Sequence, residues 1–153
     1  MEIKDSYELP LSKEEVWAAL NDEEFLKRSI PWCEKLERRS DTELAAEVKL
    51  KIGPMSTRFT GSITLSDIDP PNGYTITGSG KGGIAGAASG SAKVKLLENK
   101  DASSTTLSYE VSAQVKGKIA QLGSRLIQST AKKLSKNFFG SFVKQLEDMD
   151  KPS

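Results

Sequence analysis

Residues 105–149 read TTLSYEVSAQVKGKIAQLGSRLIQSTAKKLSKNFFGSFVKQLEDM, and the spacing of the apolar side chains changes once within them. Up to Val115 the period is two: Thr105, Leu107, Tyr109, Val111, Ala113 and Val115 share one face. That is the alternation of a half-buried antiparallel strand. After Lys116-Gly117 the steps become three and four, through Ile119, Leu122, Leu126, Thr130, Leu134, Phe138, Phe142 and Leu146. Such positions stack along one side of a helix. The spacing predicts a helix from Lys118 to Met149, ~45 Å long at ~1.5 Å per residue. Gly123 and Gly140 are its expected points of bending.

Upstream, period two recurs. Leu44, Ala46, Val48, Leu50 and Ile52 form one inward set, and Met55, Thr57, Phe59, Gly61, Ile63 and Leu65 the next, across a Gly53-Pro54 turn. Asp69-Pro70-Pro71-Asn72-Gly73 is a second turn, since Pro presets φ and Asn and Gly tolerate tight backbone. Tyr74, Ile76, Gly78 and Gly80 share a face, as do Ala88, Gly90, Ala92, Val94 and Leu96, before a turn at Glu98 to Asp101. Near the start, Ile3 to Leu9 reads as a short strand ended by Pro10. Ser12-Lys13-Glu14-Glu15 is a capping box that opens a short helix, and Asp22 to Arg28 is a second, stopped by Pro31. The order is strand, two short helices, five strands, long helix. Helices gathered on one face of an antiparallel sheet make an α+β fold, here a curved sheet wrapped around a long C-terminal helix, the helix-grip arrangement. Residues 1–150 are expected to form one domain and 151–153 a frayed end.

Composition removes whole classes of chemistry. The chain of 153 residues has no histidine, which excludes a His general base, a Ser-His or Cys-His pair and His-ligated zinc or haem. The single cysteine, Cys33, leaves no internal disulfide and no Cys-built metal site, so it reads as a small hydrophobe. No cofactor or metal is expected. The net charge of +1 offers no global field for nucleic acid. No apolar run approaches the ~18–20 residues of a membrane span, and the charged start Met1-Glu2-Ile3-Lys4-Asp5 does not read as a signal peptide. The expected location is cytoplasmic, with peripheral contact at the inner face of the cell membrane.

Gly78-Ser79-Gly80-Lys81-Gly82-Gly83 matches G-x-G-x-x-G, but the chain runs on into another strand rather than a helix start. Pyrophosphate binding needs that helix N-terminus, so a nucleotide site is not expected. The same glycines fit another reading. Gly78, Gly80, Ala88, Gly90 and Ala92 occupy inward positions where Leu or Phe would fill the space beneath the long helix. Protein interiors pack to a density of ~0.74–0.76, so either helix side chains drop into that space or a ligand fills it.

The set Ile30-Pro31-Trp32-Cys33-Glu34, Lys51-Ile52-Gly53, Phe59-Thr60-Gly61, the stretch Gly78 to Gly90 and Gly117-Lys118-Ile119-Ala120-Gln121-Leu122-Gly123 resembles the carbon monoxide dehydrogenase CoxG family. That family belongs to the START-like, or SRPBCC, superfamily. Where its loop usually reads Pro-Gly-Cys, this chain carries Trp32. The resemblance implies a cavity for an apolar small molecule, a quinone or a lipid. It also implies an accessory role toward a molybdenum hydroxylase of the carbon monoxide dehydrogenase type, helping that enzyme associate with the membrane. Phe59, Tyr74, Ile76, Gly78, Gly90, Ala92, Tyr109, Leu122, Leu126 and Thr130 are then the candidate ligand-binding residues, with the Tyr74 and Tyr109 hydroxyls able to orient a polar end. Each of them also suits an ordinary core. The apolar loop Ile30, Pro31, Trp32, with Lys35, Arg38 and Arg39 beside it, is the candidate membrane or partner contact, and its rival is a plug closing the core. No catalytic residue is assigned. The alternatives to a carrier are a START-like cyclase or hydrolase acting on an apolar substrate, and a docking adaptor without a ligand.

Overall fold

The computed structural model describes residues 1–30, 32–100 and 103–149. Pro31 and the 151–153 tail, both assigned above, lie outside the described residues, as does Asp101 of the turn after Glu98. The chain forms β1 (Glu2–Leu9), α1 (Lys13–Leu20), α2 (Glu23–Ser29), β2 (Cys33–Arg38), β3 (Glu43–Ile52), β4 (Met55–Asp69), β5 (Gly73–Lys81), β6 (Ala87–Glu98), β7 (Thr105–Lys116) and α3 (Ser124–Met149). Seven antiparallel strands in the order β1-β7-β6-β5-β4-β3-β2 make one curved open sheet. The long C-terminal helix and the two short helices complete the expected α+β helix-grip fold.

Local chemistry sets the short helices. The Ser12 hydroxyl accepts from the Glu15 amide at 3.2 Å, and the Glu15 carboxylate accepts in return from the Ser12 amide at 3.4 Å. Asp22 caps α2 by accepting from the Phe25 amide at 3.1 Å. These bonds satisfy amides that a helix start leaves without partners. Two short helices in succession carry Val16, Leu20 and Phe25 into the core.

Two elements differ from the sequence reading. β2 is a sixth strand after the short helices, where five were expected. Its sequence Cys33-Glu34-Lys35-Leu36-Glu37-Arg38 buries only Leu36, so it carries almost no period-two signal. It forms by pairing Leu36 with Ala46 and Arg38 with Leu44 at the sheet edge, where charged side chains are ordinary. The long helix starts at Ser124 rather than Lys118. Gly123 has φ +95° and separates α3 from a 3₁₀ turn over Lys118–Leu122. The remaining 26 residues are continuous through Gly140 and span ~39 Å.

The C-terminal half of α3 is sealed against the main core. Phe142 and Leu146 are fully buried, and Phe142 meets Phe25 edge-on at 5.2 Å. Tyr7, Phe139 and Tyr109 stack at 5.0 and 4.6 Å. Gln145 donates to the Phe25 carbonyl at 3.3 Å and to the buried Ser29 hydroxyl, which ties α3 to α2. A separate small cluster of Ile52, Phe59 and Ile119 closes the opposite end, with Leu122 and Leu126 packed on it.

Candidate functional site

Between the main core and that small cluster, the sheet presents almost no side chain to α3. Register places Ala46 opposite Gly61, Gly61 opposite Gly80, and Gly80 opposite Ala88. The next row runs from Ile63 to Gly78, Gly90 and Ala113. Over this floor lies a chamber of about 340 Å³, walled by Val48, Ile52, Phe59, Ile119, Ile127, Thr130 and Ala131 among others. A second chamber of about 320 Å³ lies toward the short helices, walled by Leu20, Ile30, Trp32, Tyr74, Ile76, Ala92, Tyr109 and Phe138 among others. Ile63 and Leu134 line both, so the two chambers are neighbours on either side of that pair. Each volume lies at the lower end of the ~300–1,000 Å³ usual for ligand pockets.

The glycines differ in what they leave open. A Cβ on Gly78 would meet only the Ser62 carbonyl oxygen, at 3.8 Å, so its missing side chain is genuine space. A Cβ on Gly90 would lie 2.9 Å from the Ser112 carbonyl oxygen and 3.2 Å from the Ala113 Cβ. Gly90 therefore allows close strand packing rather than adding room. Gly82 lies against the Phe59 ring, and Gly83–Ala85 form a 3₁₀ turn straight into β6. The glycine motif is thus a strand-to-strand connection, as expected.

Of the ten candidate ligand residues, Phe59, Gly78 and Thr130 line the first chamber, and Tyr74, Ile76, Ala92 and Tyr109 the second. Gly90, Leu122 and Leu126 line neither; Leu122 and Leu126 belong to the closing cluster. The Tyr74 hydroxyl donates to the Leu20 carbonyl at 3.0 Å. Burial raises its pKa well above the usual phenol value, so it stays neutral and committed to the wall. Burial first, then the neighbouring Tyr7 and Asp5, pushes the Tyr109 phenol up to about 12; its hydroxyl interacts with those of Tyr7 and Ser135. On the helix, Ile127, Ala131 and Leu134 face the first chamber. Leu134 belongs to the apolar line read from the sequence, whereas Ile127 and Ala131 lie one position after Leu126 and Thr130, where the apolar period alone does not single them out.

The loop after α2 turns inward. Ile30 and Trp32 are half-buried and wall the second chamber, and the Trp32 carbonyl accepts from the Lys49 amide at 2.9 Å. Arg38 is also half-buried in that wall, whereas Lys35 and Arg39 are exposed. The Cys33 thiol donates to the Lys35 carbonyl at 3.2 Å, and burial pushes its pKa up, away from a reactive thiolate.

A curved sheet gripping a long helix over an apolar cavity defines a START-like domain. The family profile for CoxG of carbon monoxide dehydrogenase matches residues 6–147. The chain belongs to that family. It is similar to the crystal structure of a conserved protein from Geobacillus kaustophilus, with 30% identity and a TM-score of 0.88, covering 97% of this chain and 96% of that one. A START superfamily protein from Mycobacterium smegmatis shares the fold at 13% identity and a TM-score of 0.72, over 97% and 98% of the two chains. The Zhui aromatase/cyclase from Streptomyces sp. R1128 does so at 13% identity and 0.70, over 99% and 96%. No curated protein matches.

Proposed function

We propose that this protein is a carrier without turnover of its own, holding a quinone- or lipid-like molecule in the two neighbouring chambers beneath α3. The observation that supports this most is the chemistry of the walls. Among the described residues no carboxylate lines either chamber, and the tyrosine hydroxyls there already have partners. Such walls favour burial of apolar surface at ~25 cal/mol per Å² and offer no acid/base pair. Its partner in this reading is a molybdenum hydroxylase of the carbon monoxide dehydrogenase type, which the family's name links to it.

Membrane contact belongs to the same proposal, at a different surface from the Trp32 loop. Ile84, at the β5–β6 tip, is 88% exposed, and Lys81 beside it is exposed. Gly86 packs directly on Lys116 and Gly117, which brings the exposed Lys116 and Lys118 next to that tip. From Val111 to Leu146 the chain has no Asp or Glu and carries seven basic residues. An apolar tip among uncompensated lysines suits an anionic bilayer. No helix among the described residues is long and apolar enough to cross a membrane. Co-sedimentation with anionic vesicles should fall sharply for Ile84→Asp and with rising salt, and little for Trp32→Ala. The reverse ranking would return the contact to the Trp32 loop.

The carrier reading is tested by mass spectrometry of solvent extracts from the purified protein. An apolar molecule in stoichiometric amount supports it. Extracts empty of any such molecule, together with no binding of the neutral probe N-phenylnaphthylamine, would leave an adaptor with a vacant core.

A further inference from the structure

We infer that the outer face of the sheet, at the end that carries Ile84, binds a phosphate ester with free hydroxyls, of the glycerol phosphate kind. The inference deepens the membrane reading by naming the group met at that tip. Strand alternation turns Gly61, Gly80 and Ala88 toward the first chamber, so Ser62, Ser79, Lys81, Ser89, Gln114 and Lys116 point to the opposite face. There they line a concavity of about 360 Å³, in which no lining residue of inward parity is larger than alanine. Register sets Lys81 opposite Ala87, and Ala87 opposite Lys116. The two lysines thus stand two strand spacings apart, ~9–10 Å, with only a methyl group between them. One row along, Ser62, Ser79, Ser89 and Gln114 stand abreast on four adjacent strands.

Neither lysine has a carboxylate partner among the described residues, and the four polar side chains of the neighbouring row make no hydrogen bond there. Elsewhere the sheet pairs such groups internally. Thr75 donates to Asp67 at 3.2 Å, Thr106 donates to Glu8 at 2.6 Å, and Lys4 meets Glu110 at 2.7 Å on the same outer face. From Val48 to Ser66, Pro70 to Leu97 and Val111 to Leu146 the sequence holds no Asp or Glu, so the strand ends around the concavity carry none. Glu2, at the start of β1, stands opposite Ser112, four residues back from Lys116. An ammonium on each side suits a phosphate, whose oxygens accept from several donors at once. Hydroxyl and amide side chains both donate and accept. The row beside the lysines therefore suits alcohol groups carried on the same ester, and a bare phosphate leaves it unused. The position also suits a lipid. Three residues of chain separate Ile84 from Lys81 on one side and from Ala87 on the other, at most ~10 Å. An Ile84 side chain seated at the acyl boundary thus brings the concavity within reach of the headgroup layer. A soluble glycerol phosphate offers the same chemistry, and the experiment separates the two sources.

The test has a soluble arm and a vesicle arm, both on the purified protein. In the first, backbone amide shifts are followed by NMR during titration with glycerol 3-phosphate, and with inorganic phosphate for comparison. Shifts should centre on Ser79, Ser89 and Gln114, and the ester should bind roughly fivefold tighter than inorganic phosphate, the scale of one added neutral hydrogen bond. In the second, co-sedimentation compares phosphatidylcholine vesicles carrying phosphatidylglycerol or phosphatidylserine at equal net charge. Retention should need roughly fivefold less phosphatidylglycerol than phosphatidylserine. A variant carrying both Ser79→Ala and Ser89→Ala should lose both preferences and keep its phosphatidylserine binding. Both serines are exposed, so its thermal midpoint should match the wild type. Ile84→Asp should lose the vesicles and keep glycerol 3-phosphate, since the soluble ester needs no apolar anchor. Preference in the vesicle arm alone assigns a lipid headgroup, and in the soluble arm alone a soluble ester. Shifts without any vesicle binding keep the site and remove the membrane reading. No preference in either arm overturns the inference and leaves contact at Ile84 resting on charge alone. Preferences that survive in the double variant overturn it too.

Discussion

The two halves of α3 obey one helical period and meet opposite surroundings. From Phe138 to Leu146 the helix faces Leu, Val and Tyr side chains and the α2 helix, and Phe142 and Leu146 lose all contact with solvent. From Ile127 to Leu134 it lies over a floor rich in glycine and alanine, and no residue of that stretch is fully buried. The helix does not make the cavity. The sheet does, by changing from large to small residues along strands whose alternation never changes. One half therefore holds the fold together and the other spans a space.

The largest expected effect lies in the sealed half. Phe142→Ala should cost ~3–5 kcal/mol in chemical denaturation, because a fully buried ring leaves a cavity that α2 cannot fill. Ile127→Ala, over the first chamber, should cost about 1 kcal/mol or less, since part of its surface already faces open space. Similar costs for the two would erase the contrast between the halves.

The glycines sharpen it at smaller scale. A Cβ on Gly61 would lie 1.9 Å from the Ser79 carbonyl oxygen, so Gly61→Ala must move the backbone of a central strand. It should cost about 3 kcal/mol, at the top of the usual range for overpacking. Gly78→Ala enters open space and should gain ~0.5–1 kcal/mol, the ordinary penalty of a strand glycine removed. Thermal unfolding of the two variants under identical conditions checks the opposite signs.

Alkali should act on the tyrosines of the main core, two of which also wall the second chamber. Tyr7, Tyr74 and Tyr109 all belong to that core, and burial raises all three phenols above the usual value. A phenol whose pKa is raised in the folded state contributes stability that is complete below the unfolded value of ~10 and is lost as pH rises through the folded one. Stability should hold up to pH ~10, then fall by ~1.4 kcal/mol per pH unit for each phenol that the unfolded chain ionises first. For Tyr109 that window closes at about 12. Tyr109→Phe should make the fall shallower in pH-dependent denaturation. An unchanged slope would mean that Tyr109 ionises freely in the folded protein.

Much of this was legible in the sequence, for identifiable reasons. Leu44 to Ile52 and Thr105 to Val115 alternate cleanly because one face of each strand is buried, and the α3 line shows because a helix repeats its burial. The cavity was visible as small residues at inward parity. What stayed hidden depends on tertiary placement. The helical period crosses Gly123 undisturbed, and only its positive φ ends α3 there. β2 is a strand because β3 offers an edge, with Leu36 its only buried side chain. Gly78 and Gly90 are the same residue at the same parity, yet one opens space and the other abuts Ala113; the local approach of neighbouring strands decides between them. Arg38 reads as a surface residue and Trp32 as either an exposed anchor or a plug, because a loop's direction and a side chain's inward turn leave no periodic trace.

The measurement that bears most directly on the cavity is the denaturation midpoint of Ala92→Leu, taken with probe binding. Ala92 lines the second chamber at the same parity as the buried Val94 and Leu96. If the chamber is open, the added side chain enters it: the midpoint should hold or rise while N-phenylnaphthylamine binding by the variant falls away. If the space is already filled, overpacking should cost ~1–3 kcal/mol, and a lowered midpoint with no probe bound by the wild-type protein would contradict a ligand cavity beneath α3.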